Sequence, residues 1–206
     1  MRAYLDRHFL NAESLVHRAG ISLATLQQLV DLHMIPAPSY VVDAAGKVTS
    51  LVFGQSAATD ALPGRYFPAA QVAWIERAQQ MIARVGLQGA SAELGREFFE
   101  FFLDAFPDDE QCEKCTDIVT HFLAGTYGVC VVHPDSAQKI AAKEIAQDCL
   151  VALTENGQKK IYRPDELPAL RDAIAAYDVI AMPFSPVDYP RSSRKRLIDD
   201  VCRVIS

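Results

Sequence analysis

The chain has 206 residues, is 50% apolar and 22% charged, and carries a formal net charge of −6. That length suits one domain or two small ones around a true hydrophobic core, and the apolar content excludes intrinsic disorder. Ten glycines and eleven prolines exclude a collagen-like or low-complexity chain. The net acidity argues against a general binder of nucleic acid or anionic membrane.

The first residues carry no apolar stretch after a basic start, so no secretory signal is expected. No apolar run approaches the roughly 18–20 residues that span a bilayer. A cytoplasmic protein is expected, with no membrane partner. Five cysteines fit reduced thiols better than a disulfide framework, because the number is odd and the chain is long for such a scaffold.

In chain order, Asn11 caps a first helix that Gly20 ends. Ser22 caps a second, with Leu23, Leu26, Leu29, Val30 and Met34 at helical spacing. Pro36 and Pro38 stop it. Residues 39–43 and 48–53 are β-rich runs around a turn with Gly46 and read as a hairpin. Residues 55–67 read as a loop. From Pro68 a helix is expected with Val72, Ile75, Gln79, Ile82 and Val85 on one side. Gly86 and Gly89 break it, and Ser91 starts a second helix through Phe98 and Phe102. A third helix is expected from Asp109 to Leu123, and an extended stretch over Tyr127–Val132. Asp135 and Gln138 read as a capping box for a fourth helix. A fifth is expected over Glu166–Met182 and a last over Ser192–Val204.

The expected fold is therefore mainly α. An N-terminal helix-turn-helix with a small β-hairpin occupies residues 1–54, a loop 55–67, and a helical bundle 68–206. The Ala12–Pro36 stretch, with its Ala19-Gly20-Ile21-Ser22 turn, resembles the helix-turn-helix of MerR-type regulators. Such a reader needs Lys and Arg against phosphate. Residues 1–53 hold four basic and four acidic groups, and the second helix has no Lys or Arg. Nucleic acid is therefore not expected as a partner, and a packing role for the two helices is preferred.

Three side-chain groups are candidates for chemistry. Cys112-x-x-Cys115 followed by Cys130-x-x-His133 has zinc spacing. Cys112 and Cys115 also continue an apolar helix face, however, so core cysteines are preferred and neither a metal nor a cofactor is expected. His121 lies four residues after Asp117, which could orient its imidazole; a surface pair is the plainer reading. Residues 191–206 hold five basic and two acidic groups, while 93–117 hold nine acidic and two basic. Either the last helix docks on the acidic segment, or Arg191, Ser192, Ser193 and Arg194 hold an anion near its start.

Four stretches are Pro38–Val42, Val72–Ile75, His121–Cys130 and Met182–Arg196. Together they resemble an uncharacterised bacterial family whose members are labelled natural-product-biosynthesis proteins. The resemblance implies a pathway association and no particular reaction. It makes Gly125–Cys130 and Pro190–Arg196 the places to look for a shared site. If the two adjoin, His121, Tyr127 and Cys130 would face an Arg191/Arg194 anion clamp, with Gly125 and Gly128 allowing close approach of a ligand. The expected function is an accessory or small-molecule-binding protein of a biosynthetic pathway. A small-molecule enzyme with a His/Tyr/Arg pocket and a DNA-binding regulator are the alternatives. The expected partners are a small anionic ligand and, as an alternative arrangement, a second copy of the chain in a homodimer.

Overall fold

The computed structural model describes residues 1–57, 60–105 and 117–205. The chain opens with α1 (Arg2–His8), β1 (Phe9–Asn11), α2 (Ala12–Ala19) and α3 (Leu23–Asp31). The expected caps at α2 and α3 are present. Asn11 accepts from the Ser14 amide at 2.8 Å, and Ser22 accepts from the Thr25 amide at 3.0 Å. Gly20 takes the left-handed conformation that ends α2. The outward positions of α3 are Leu23, Ala24, Gln28 and Asp31, with no cation among them.

The predicted hairpin forms as β2 (Tyr40–Val42) and β3 (Lys47–Ser50), paired antiparallel with Val42 opposite Val48. The Asp43 carboxylate closes its turn by accepting from the Ala45 and Lys47 amides. The hairpin belongs to a larger sheet. Residues 55–67, expected as a loop, carry most of β4 (Gly54–Ala57) and β5 (Gly64–Pro68), and the five antiparallel strands lie in the order β1-β5-β2-β3-β4. β5 fits between β1 and β2, which neither of its neighbours in sequence announces. Its core residues Tyr66 and Phe67 are buried.

Pro68 therefore ends a strand, and the helix expected from it starts three residues later as α4 (Gln71–Val85). Its buried face is Gln71, Trp74, Ile75, Ala78 and Met81. That stripe is rotated from the expected one, and it leaves Gln79 and Val85 outside. α5 (Leu87–Leu103) begins directly after Gly86, so Gly89 and Ser91 lie within a helix. Trp74, Phe98 and Phe122 pack as a ring cluster, with Phe98 and Phe122 stacked 4.1 Å apart between centroids. The start of the third expected helix lies outside the described residues; its end is α6 (Ile118–Leu123).

The stretch expected to be extended, Tyr127–Val132, begins instead as a helical turn, α7 (Thr126–Cys130), and extends only at Val131, which bridges to Ala181. α8 (Ala137–Thr154) is capped by Ser136, not by the Asp135/Gln138 box; Asp135 instead pairs with the Lys139 ammonium at 2.7 Å. α9 (Leu167–Ile180) follows. The last expected helix, Ser192–Val204, is divided into a π turn at Lys195–Asp199 and α10 (Asp200–Ile205), after a 3-10 turn at Tyr189–Arg191 that precedes it.

One apolar core runs from Leu5 and Leu15 through the sheet to Ile140 and Phe184. A smaller one joins α8 and α9 to the C-terminal turns through Leu150, Leu170, Tyr177 and Leu197. Among the described residues no helix is long and apolar enough to cross a membrane.

Candidate functional site

α8 carries Ile140, Lys143, Gln147 and Leu150 at spacings of three, four and three, which place them on one helical stripe. Ile140 and Leu150 are fully buried, and the stripe forces Lys143 inward with them, to 4% exposure. Burying an ammonium is costly unless it is paired. The pairing here is with the Glu144 carboxylate at 2.9 Å. Burial works against the charge on Lys143, but Cys130 and Glu144 beside it carry its pKa above the ordinary lysine value. The ion pair with the Glu144 carboxylate holds the group as an ammonium. Among the described residues it makes one hydrogen bond, to Glu144, and has three N–H donors to place.

Lys143 opens onto a cleft of about 370 Å³, lined also by Val52, Phe53, Cys130, Gln147, Phe184, Arg191 and Ser193. That volume falls in the range of small-molecule sites. Each side of the cleft has its own origin. Val52 and Phe53 come from the turn between β3 and β4. Cys130 ends α7, where its carbonyl accepts from the Met182 amide at 3.0 Å and so ties α7 to the segment carrying Phe184. Phe184 is buried at a φ of 61°, in the left-handed region that a bulky side chain avoids. Such strain costs about 1–3 kcal/mol and persists only where the surroundings impose it. Its ring meets Phe53 edge to face, with 5.8 Å between centroids.

Arg191 reaches across this wall. Its guanidinium donates to the Phe53 carbonyl at 2.9 Å, stands 5.4 Å from the centre of the Phe53 ring, and lies 3.7 Å from the Asp188 carboxylate. On the opposite side, Ser193 and the Tyr177 hydroxyl share a hydrogen bond of 2.6 Å, and Tyr177 donates to Gln147 at 3.4 Å. Burial raises the Tyr177 pKa above its usual value, so this chain consists of neutral hydroxyls at physiological pH. Burial likewise pushes the Cys130 thiol up, against the opposing pull of Lys143. Cys130 is thus a thiol, not a poised thiolate.

Of the residues expected at a site, the cleft brings together Cys130, Arg191 and Ser193. The others lie elsewhere. His121 is exposed on α6. Tyr127 is 5% exposed and lines a separate void of about 10 Å³ with Trp74 and Phe122. Ser192 is consumed by the backbone: its hydroxyl donates to the Tyr189 carbonyl and accepts from the Lys195 amide. Arg194 pairs with the Asp178 carboxylate and donates to the carbonyls of Asp178, Ala181 and Met182. It closes the end of α9.

The expected close approach at Gly125 and Gly128 is real, but what approaches is the chain itself. A Cβ on Gly125 would lie 2.5 Å from the Ala37 carbonyl oxygen, and one on Gly128 would overlap the Ser39 hydroxyl. Ser39 donates to the Gly125 carbonyl at 3.0 Å across this seam. Among the described pairs, the basic C-terminal residues hold the carboxylates of Asp178, Asp188 and Asp200. Residues 106–116 of the acidic segment lie outside the described residues. Glu93, Glu97 and Glu100 are bound by Arg84 and Arg96.

Of the zinc candidates, Cys112 and Cys115 lie outside the described residues. Cys130 faces the cleft, while His133 is exposed on a different surface beside Val132 and Val179. Among the described residues no cluster of three metal-ligating side chains forms.

Sequence reasoning missed Lys143, Gln147, Phe53 and Phe184. For the first two a signal existed: a lysine and a glutamine interrupt the apolar stripe of a long helix. For the aromatic pair there was none, since the contact joins positions 53 and 184.

No curated protein and no solved structure matches the chain. Residues 70–206 match the model of a family of unknown function, DUF6058, and the chain belongs to that family.

Proposed function

We propose that the protein binds a small organic anion in the cleft at Lys143 and Arg191 and acts as a cytoplasmic accessory protein of a biosynthetic pathway. The observation that carries this reading is Lys143. It is a buried, charged ammonium lining a cleft of ligand size, with one donor placed on protein. A ligand acceptor completes such a group better than an apolar one. Arg191 adds planar donors a carboxylate can use, and Gln147 and Ser193 add neutral polar contacts. The pathway role rests on the family resemblance.

The alternatives draw less support. His121 and Tyr127, on which an enzyme with a His/Tyr/Arg pocket would depend, do not line the cleft. A DNA reader would need cations on the outward side of α3, which carries none.

The test is a titration of the amide spectrum of the full chain with acetate and with inorganic phosphate. Saturable shifts at Cys130, Lys143 and Arg191, lost in Lys143→Met and Arg191→Gln, are expected. No saturable shift with either anion, or shifts indifferent to both substitutions, would overturn the reading.

A further inference from the structure

We infer that the turn at residues 51–53 is the specificity element of the cleft, and that it selects an aryl carboxylate over a bare anion. This rests on the reading of the cleft as an anion site. The cleft is two-sided. Lys143, Gln147 and Ser193 offer hydrogen bonds on one side, while Val52, Phe53 and Phe184 form an apolar wall. The Phe53 and Phe184 rings already meet edge to face, so a ligand ring extends an existing aromatic cluster. Arg191, held over the Phe53 ring, presents a planar cation at the junction of wall and polar side.

Charge bookkeeping points the same way. The two cations of the cleft each have a carboxylate beside them, Glu144 for Lys143 and Asp188 for Arg191. The local sum is therefore near zero. A phosphate dianion would bring two uncompensated charges into a partly buried site, which desolvation penalises. A carboxylate brings one, and an apolar body adds favourable burial against the wall. Donors, not net charge, recognise the head group, and the wall reads the body.

The polar side and the 51–53 part of the wall have different origins in the chain. The polar groups lie within residues 70–206, the part that matches the family, while Val52 and Phe53 precede it. Changing the Phe53 side chain should therefore alter chiefly which body is accepted, while the backbone carbonyl still holds Arg191. Val52 is 38% exposed and Phe53 is half-buried at the edge of the main core.

The experiment is an amide-shift titration of the full chain with benzoate, acetate and inorganic phosphate, repeated on Phe53→Ala and Phe53→Leu. Both variants keep the backbone carbonyl that holds Arg191. Benzoate should bind about tenfold more tightly than acetate, and Phe53→Ala should remove most of that preference, costing benzoate more than acetate. Phe53→Leu should fall between. Equal affinity for benzoate and acetate, or phosphate tighter than benzoate, overturns this inference and leaves the anion site standing. Equal losses for acetate and benzoate in Phe53→Ala also overturn it. Failure of all three anions to bind removes the anion site itself.

Discussion

The Tyr40 hydroxyl donates to the Asp188 carboxylate at 2.9 Å, joining residues 148 positions apart. Both are buried, Tyr40 at 1% and Asp188 at 2% exposure, and Ser185 donates to the same carboxylate oxygen at 2.7 Å. This bond fastens the middle of the sheet to the segment that carries Phe184 and Arg191. The cleft depends on it, because Val52 and Phe53 come from the turn between β3 and β4 while Phe184 and Arg191 come from that segment.

Tyr40→Phe keeps the ring packing against Phe9 and removes the donor, leaving a buried carboxylate with one hydroxyl partner fewer. The expected loss is about 1–3 kcal/mol of stability, read by urea unfolding. A loss below a few tenths would mean that the bond does not hold the two segments.

Gly128→Ala should be among the most damaging single changes. Its Cβ would overlap the Ser39 hydroxyl and press on the Pro68 ring at 3.0–3.1 Å. Overpacking of this kind costs about 1–3 kcal/mol or more. Adding Ser39→Gly should recover part of the loss in thermal melts. Failure of the pair to recover any stability would place the strain elsewhere.

Arg194 and Arg191 should separate cleanly. Arg194→Ala leaves the carbonyls of Asp178, Ala181 and Met182 without their donor and should cost about 1–3 kcal/mol, with anion shifts unchanged. Arg191→Gln should weaken the anion shifts with little change in melting, since its side chain is 53% exposed. The reverse pattern would move the anion site to the end of α9.

Alkaline pH should unfold the protein. All seven tyrosines have pKa values above the ordinary one, and for Tyr40, Tyr127 and Tyr177 the main cause is burial. In the unfolded chain they ionise near about pH 10. Because the folded values are higher, the stabilisation is full below that pH and is lost as pH rises above it. Phenolate absorbance from the buried rings should appear together with loss of helical signal. Ionisation of Tyr40 and Tyr127 near pH 10 in an intact fold would contradict this.

The fragment 70–206 should not fold alone. The segment before it supplies Leu15, Tyr40 and Phe67 to the main core, and the Pro36 carbonyl accepts from Gln71 at 2.7 Å. The fragment should lack a cooperative melt. A sharp transition near that of the full chain would show a self-sufficient helical part.

Local features were legible in the sequence because local physics makes them. Asn11 and Ser22 cap helices wherever an unpaired amide follows, Gly20 ends a helix because it accepts the left-handed turn, and the 40–50 hairpin turns on Asp43 and Gly46. The sheet beyond the hairpin was not legible, since β5 pairs with β1 across more than fifty residues and the register of 66–68 on 9–11 has no local signal. At the site, Gly125 and Gly128, the thiol of Cys130 and the cations of 191–196 were visible as unusual, but their partners were not. Backbone, not ligand, fills the space beside the glycines. Arg194 is spent on Asp178 and three carbonyls, while Arg191 gives one bond to the Phe53 carbonyl and still lines the cleft, although both sit in one basic run. The sequence alone determines which groups are present, how they are charged and which residues can cap or end a helix. Which cation is left facing a cleft depends on which acceptors lie within about 3 Å, and only the packed chain decides that.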